Sequence, residues 1–262
     1  MNKLIIIAGN CILEDMNTSI ETGRFLTKLS KKYDYQLIYK SSFKKDNRSS
    51  SEYYAGPILK ESIHIFKRLK KEFGIRIITD FHNLYELDTE IVDVADILQL
   101  PAYLCMQTEL TLKMAGLGKP INIKKGQFLH PEDVINIVKK IESVGNKDIM
   151  ITERGTCFGY RDLVVDPRAF YILKSFGYPV FFDAGHSVRK YGVPSADLEK
   201  GGQKEFIYNL ARAAIACKTD GIYVEVHPNP NIAKCDAATQ LSFEEFERLI
   251  KEINPIWRAL HE

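Results

Sequence analysis

Short apolar runs alternate with longer stretches of helical period along the whole chain. Runs at 4–8, 35–39, 76–79, 97–100, 121–124, 149–152, 179–182 and 222–226, rich in Ile, Leu, Val and Phe, have the length and composition of buried strands. Between them the pattern predicts amphipathic helices near 18–32, 58–73, 85–95, 108–115, 131–145, 167–176 and 204–217, with a last helix from Ser242 onward. Several helix ends are signalled locally. Ser242-Phe243-Glu244-Glu245 has the Ser-x-x-Glu form of a capping box, and Gly74, Gly145 and Gly177 fall where a helix C-terminus favours a left-handed residue. Eight strand–helix units in 262 residues are the count and size of a single-domain (β/α)8 TIM barrel over 1–262. A doubly wound open sheet fits the same alternation, but no Gly-x-Gly-x-x-Gly follows any strand.

The polar residues fall at one end of these strands. Cys11 follows the first; Lys40 ends the second; Asp80 and His82 follow the third; Gln99 lies in the fourth. Lys124 ends the fifth, Glu153 and Arg154 the sixth, Asp183 and His186 the seventh, Glu225 and His227 the eighth. In a barrel those C-terminal ends form a single face, the one on which barrel enzymes build their sites. The stretch from Gly221 to Asp236 is the densest case: a buried strand running directly into an acid, an imidazole and an irregular loop.

Cys11, His186, Glu225 and Asp236 offer one thiolate, one imidazole and two carboxylates, a mixture that suits Zn²⁺ or Fe²⁺ better than Mg²⁺. Taken singly, each has a plain structural role open to it: Cys11 as a small buried hydrophobe, Asp236 as a turn residue. Lys40, Lys45, Lys124 and Arg154 form a second group, which at a barrel mouth implies an anionic small molecule. Of these, Lys45 stands in a loop, where a lysine is usually solvated. The polar segment 45–51 suits an oxyanion at its tip and equally suits a flexible linker; 152–160 is denser in Gly and polar groups than a plain turn needs; 187–203 is long enough for a lid.

Charge and composition narrow the partners. Lys and Arg total 36 against 34 Asp and Glu, so no electrostatic case exists for nucleic acid or an acidic membrane surface. No apolar run reaches membrane-span length and the run at 4–7 is too short for a signal peptide, so a cytoplasmic protein is expected. Five cysteines, odd in number and never spaced Cys-x-x-Cys, argue against a disulfide framework or a zinc finger.

Over essentially its full length the chain resembles the 3-deoxy-D-manno-octulosonate 8-phosphate synthase family. The matching stretches are Ala8-Gly9-Asn10-Cys11, Asn47-Arg48-Ser49-Ser50, Leu98-Gln99-Leu100-Pro101-Ala102, Asn122-Ile123-Lys124-Lys125-Gly126-Gln127-Phe128, Thr152 to Tyr160, His186-Ser187-Val188, Gly201-Gly202-Gln203 and Glu225-Val226-His227-Pro228. The resemblance implies condensation of phosphoenolpyruvate with arabinose 5-phosphate by a homotetramer. It also implies one divalent metal ion per subunit, Zn, Fe or Mn, on Cys11, His186, Glu225 and Asp236, since metal-independent members carry Asn where this chain has Cys11. Lys40, Lys45, Gln99, Lys124 and Arg154 would hold phosphoenolpyruvate, Asn47, Arg48 and Ser49 the aldose phosphate, and Asp80 would lie beside the sugar. Cys11, Asp80, Lys124 and His186 would be the residues closest to the chemistry.

Departures gather on the sugar side. The usual Arg-Gln-Thr-Asp is Met106-Gln107-Thr108-Glu109, and the missing Arg is the one expected to reach a neighbouring subunit's sugar phosphate. Lys-Ala-Asn-Arg becomes Lys45-Asp46-Asn47-Arg48, Asp-Ala-Thr-His becomes Asp183-Ala184-Gly185-His186, and Ser-Asp-Gly becomes Cys235-Asp236-Ala237. A sister synthase acting on another aldose therefore stands beside the leading reading. The heptulosonate phosphate branch is disfavoured because its Lys-Pro-Arg-Thr-Ser motif is absent, and an inactive sugar-phosphate-binding paralogue is disfavoured by the complete set of ligand and cation residues.

Overall fold

The eight apolar runs become eight parallel strands that close on themselves. A computed structural model describes residues 3–46, 48, 50–157, 162–190, 192–194, 197–198 and 200–261. The strands are β1 (Ile5–Gly9), β2 (Gln36–Lys40), β3 (Arg76–Asp80), β4 (Ile97–Leu100), β5 (Ile121–Lys124), β6 (Ile149–Glu153), β7 (Val180–Asp183) and β8 (Gly221–Glu225). The ring closes where β1 pairs with β8, in register from Ile5 opposite Gly221 to Gly9 opposite Glu225. Outside it lie α1 (Met16–Tyr33), α2 (Leu59–Phe73), α3 (Ile91–Val94), α4 (Thr108–Gly116), α5 (Val134–Glu142), α6 (Pro167–Lys174), α7 (Ile207–Ala216) and α8 (Phe243–His261). Among the described residues no helix is long and apolar enough to cross a membrane.

Local signals act where the sequence places them. The Ser242 N–H donates to Glu245 Oε2 at 2.7 Å and the Glu245 N–H returns a bond to Ser242 Oγ at 3.2 Å, closing the capping box of α8. Gly74 ends α2 in the left-handed region at φ 64°. The helix expected at 85–95 does not form as one element: a 3-10 turn over Leu84–Asp88 precedes the single helical turn of α3. Here Glu86 accepts from the His82 N–H at 2.7 Å while the Thr89 hydroxyl donates back to the Glu86 carbonyl at 2.7 Å, local bonds that compete with a continuing helix. Within the glycine-rich segment after β6, Thr156–Cys157 pairs with Leu163–Val164 in a small antiparallel ribbon that periodicity does not reveal.

Two faces of each strand have separate duties. One face packs against the helices in the main core; the other turns inward, where Ile7, Ile38, Ile78, Ile97, Met150, Phe181 and Tyr223 fill the barrel as a second apolar cluster. Side chains two residues apart share a face. The next inward positions include Lys40, Asp80, Gln99, Asp183 and Glu225, so much of the interior changes from apolar to polar or charged within one step of the pleat.

The seam between β1 and β8 leaves no room for a side chain at Gly221, where an added Cβ would lie 1.8 Å from the Ile5 carbonyl oxygen. Gly221→Ala is expected to lower stability by about 1–3 kcal/mol, seen as a lower urea midpoint with an unchanged slope. A midpoint equal to that of the unaltered protein would mean that the seam yields without cost.

Candidate active site

The charged layer opens into a cavity of about 520 Å³ at the C-terminal end of the barrel, lined in part by Lys40, Lys45, Arg48, Lys124, Arg154 and Arg189. Two groups of side chains meet beside it.

The first is the sulfur, nitrogen and oxygen cluster. Cys11, in the loop after β1, donates from Sγ to Asp236 Oδ2 at 3.3 Å. His186 Nε2 lies 3.7 Å from Glu225 Oε1 and 3.6 Å from Asp236 Oδ2. The four expected ligands are thus brought together from three loops and a strand end. Asp183 orients the imidazole: its Oδ1 accepts from the His186 backbone N–H at 2.9 Å and its Oδ2 lies 2.8 Å from Nδ1, so Nε2 is turned to the cluster. Asp236 adopts φ 44°, an uncommon backbone state for a residue other than glycine, held here at a buried carboxylate.

The donor set fits a borderline divalent ion. Burial, and then the neighbouring Cys235, push the Cys11 thiol well above its ordinary value, so the ligating thiolate needs a cation beside it. Glu225 Oε1 has no hydrogen-bond partner among the described residues although the side chain is almost wholly buried, and the ion pair it makes with Lys40 spans 3.8 Å. Such a carboxylate is costly to bury unless something else neutralises it.

The second group is cationic. Lys40 donates to Ser42 Oγ at 3.0 Å and stands 3.7 Å from Asp80 Oδ1. Lys124 pairs with Asp183 and sets its ammonium 3.2 Å from the centre of the Tyr223 ring. Burial, which disfavours charge, brings Lys124 down to about 8, with Lys40 adding repulsion and Asp183 offsetting part of it. Arg154 donates from Nη2 to the His186 carbonyl at 3.3 Å. Lys45 is not a solvated loop lysine: it is 7% exposed. Burial works against its charge, yet Cys11, Cys235, Glu225 and Asp80 together hold its pKa well above the ordinary lysine value. Asp80 is the converse case, where Lys40, His82 and Lys45 overcome burial and hold the carboxyl well below its usual range.

Gln99 lines the same cavity. Asn47 and Ser49 lie outside the described residues, as do Phe158, Gly159 and Tyr160 of the 152–160 segment. Arg48 is placed at the mouth, where Nη1 meets Cys235 Sγ and Nη2 donates to the Lys234 carbonyl at 3.3 Å. The 187–203 segment is tied at its base, Lys190 N–H to the Gly201 carbonyl at 3.1 Å and Gln203 N–H to the Val188 carbonyl at 2.9 Å, and Gly192, Val193 and Pro194 line the cavity.

Other strand-end residues do structural work instead. Glu153 accepts from the N–H groups of Arg154 and Gly155 at 2.9 and 2.5 Å. His227 faces Glu14 at 3.5 Å, away from the cluster. Conversely, three site residues escape residue-type reasoning. Cys235 joins Cys11 and Asp236 with all ligand atoms within 4.8 Å of one another, Arg189 sets Nη1 3.3 Å from Asp236 Oδ1, and Tyr223 forms part of the floor. Cys235 carried a signal, a second thiol next to a ligand; the other two carried none in spacing or type.

The family model described as the DAHP synthetase I family matches residues 1–259. A 2-dehydro-3-deoxyphosphooctonate aldolase of Protochlamydia amoebophila is 41% identical over 257 residues, covering 98% of this chain and 92% of that protein. Proteins of the same name from Geobacter sp. (strain M21) and Fusobacterium nucleatum are 41% and 42% identical, covering 97% and 95% of this chain and 92% and 88% of theirs. The chain belongs to the DAHP synthetase I family.

Proposed function

We propose that the chain condenses phosphoenolpyruvate with D-arabinose 5-phosphate and water, giving 3-deoxy-D-manno-octulosonate 8-phosphate and inorganic phosphate. This is the activity implied by its relatives' name, 2-dehydro-3-deoxyphosphooctonate aldolase. The observation that carries it is the meeting, at one barrel mouth, of buried cations with the cluster of Cys11, His186, Glu225 and Asp236, whose His186 and Asp236 line the same cavity as the cations. That combination suits two anionic substrates joined at a polarised carbonyl.

Lys40, Lys45, Gln99, Lys124 and Arg154 would hold the phosphate and carboxylate of phosphoenolpyruvate, with Asn47, Arg48 and Ser49 toward the aldose phosphate. In the condensation C3 of phosphoenolpyruvate forms the new bond to the sugar's aldehyde carbon, whose oxygen gains a proton; water adds at C2 and phosphate leaves. Asp80, kept ionised by Lys40, His82 and Lys45, is suited to accept hydrogen bonds from the sugar or the incoming water rather than to act as a base near neutrality. A Zn, Fe or Mn ion held by Cys11, His186, Glu225 and Asp236 would supply Lewis-acid polarisation of the aldehyde or orientation of the water. The proposal extends to a cytoplasmic homotetramer; exposed Tyr103, Met106 and Phe128, on the loops after β4 and β5, offer apolar surface for contact between copies.

A second reading, a sister synthase for another aldose, is favoured by one observation. Met106 is 43% exposed and offers a thioether where a guanidinium is expected.

Phosphate release is the test of both. Chelator-stripped protein is expected to be silent with phosphoenolpyruvate and arabinose 5-phosphate, and to recover with Mn²⁺, Zn²⁺ or Fe²⁺; Cys11→Ser should lose bound metal by elemental analysis. Equal turnover before and after stripping would remove the metal from the proposal. Turnover with another aldose alone would move the assignment to the sister synthase.

Lys124 gives a pH dependence. Because burial depresses its pKa to about 8, the ammonium is present below that pH and lost above it. The KM for phosphoenolpyruvate should rise as pH passes from about 7 to about 9, and Lys124→Arg, which stays charged, should flatten the rise. A flat profile in the unaltered protein would take Lys124 out of substrate binding.

A further inference from the structure

Tyr223 stands apart in the layer to which it belongs. Its companions inside the barrel, Ile7, Ile38, Ile78, Ile97, Met150 and Phe181, are wholly apolar, and Tyr223 alone among these described residues brings a hydroxyl to that depth. Packing does not ask for one. Phe181, on the adjoining strand, fills its share of the same layer with a plain ring. Tyr223 is 1% exposed, yet it lines the cavity, and its Oη has no hydrogen-bond partner among the described residues. A buried hydroxyl without a partner is costly, so it is retained where something else completes it.

The surroundings state what that is. The Lys124 ammonium lies 3.2 Å from the ring centre and that of Lys40 5.8 Å away, so the ring lies beneath the cations that draw an anion into the cavity. At neutral pH a phenol is an uncharged O–H donor, and the acceptor it lacks is of the kind that a carboxylate or phosphate group supplies.

We propose that the Tyr223 hydroxyl donates a hydrogen bond to an anionic oxygen of phosphoenolpyruvate, making Tyr223 a substrate-binding residue on the floor of the site. This rests on the function proposed above and adds to it a neutral hydroxyl donor beneath the cations. Because the contact is made to the pyruvyl substrate, the aldose should not sense its loss. Because the hydroxyl is unsatisfied within the protein, removing it should not weaken the fold.

Tyr223→Phe keeps the ring and its contact with Lys124 and deletes only the donor. Calorimetric titration of phosphoenolpyruvate into the unaltered and Tyr223→Phe proteins, both loaded with Mn²⁺, is expected to show binding weakened about tenfold or more. The KM for arabinose 5-phosphate should be unchanged, and the thermal midpoint without substrate equal or higher. Equal phosphoenolpyruvate affinity in the two proteins overturns the inference alone. A lowered thermal midpoint with both substrates affected would overturn it in favour of a packing role. Failure of the unaltered protein to bind phosphoenolpyruvate overturns the functional reading, and this contact with it.

Discussion

The structure depends on a change of polarity inside the barrel. Inward positions on successive steps of the pleat pass from Ile38 to Lys40, Ile78 to Asp80, Phe181 to Asp183 and Tyr223 to Glu225. The apolar layer closes the barrel from below, and the charged layer above it must then exist with little water. Everything at the mouth answers to that constraint, since an isolated charge in such a place would neutralise itself by a shifted pKa or destabilise the fold.

The charges are therefore shared. Asp183 serves Lys124 and His186 together, Asp80 answers Lys40 with His82 beside it, and Lys40 also reaches toward Glu225. The sharing is incomplete at the cluster of Cys11, His186, Glu225 and Asp236, where Glu225 Oε1 has no hydrogen-bond partner among the described residues and burial pushes the Cys11 thiol well above its ordinary value. Under the proposed function such a site would take a cation on one side and anions on the other. The same low-dielectric setting strengthens both interactions, and separates this mouth from a merely polar barrel rim.

The end of the site proposed for the aldose is where this chain differs from the pattern it resembles. Met106 is exposed and carries no charge, and Cys235 adds a second sulfur beside Cys11. Arg48, directed toward the sugar phosphate in the family pattern, is here engaged with Cys235 and the Lys234 carbonyl. Lys40, Lys124, Arg154 and Gln99, proposed to hold phosphoenolpyruvate, show no comparable drift.

Strand count, parallel order and the face carrying the site were legible in the sequence, because period-2 and period-3.6 patterns are local and polar residues at eight strand ends can serve only one end of a barrel. That Cys11, His186, Glu225 and Asp236 would gather, with most of the cations beside them, was expected through motif resemblance. Tertiary structure decided what depends on distance across the ring. It turned Lys45 inward, sent His227 and Glu153 to structural partners, broke the helix expected at 85–95, and placed Cys235, Arg189 and Tyr223 in the site. Whether a buried polar atom finds its partner inside the protein is settled by residues as far apart as Cys11 and Asp236, and that pairing has no signature in local sequence.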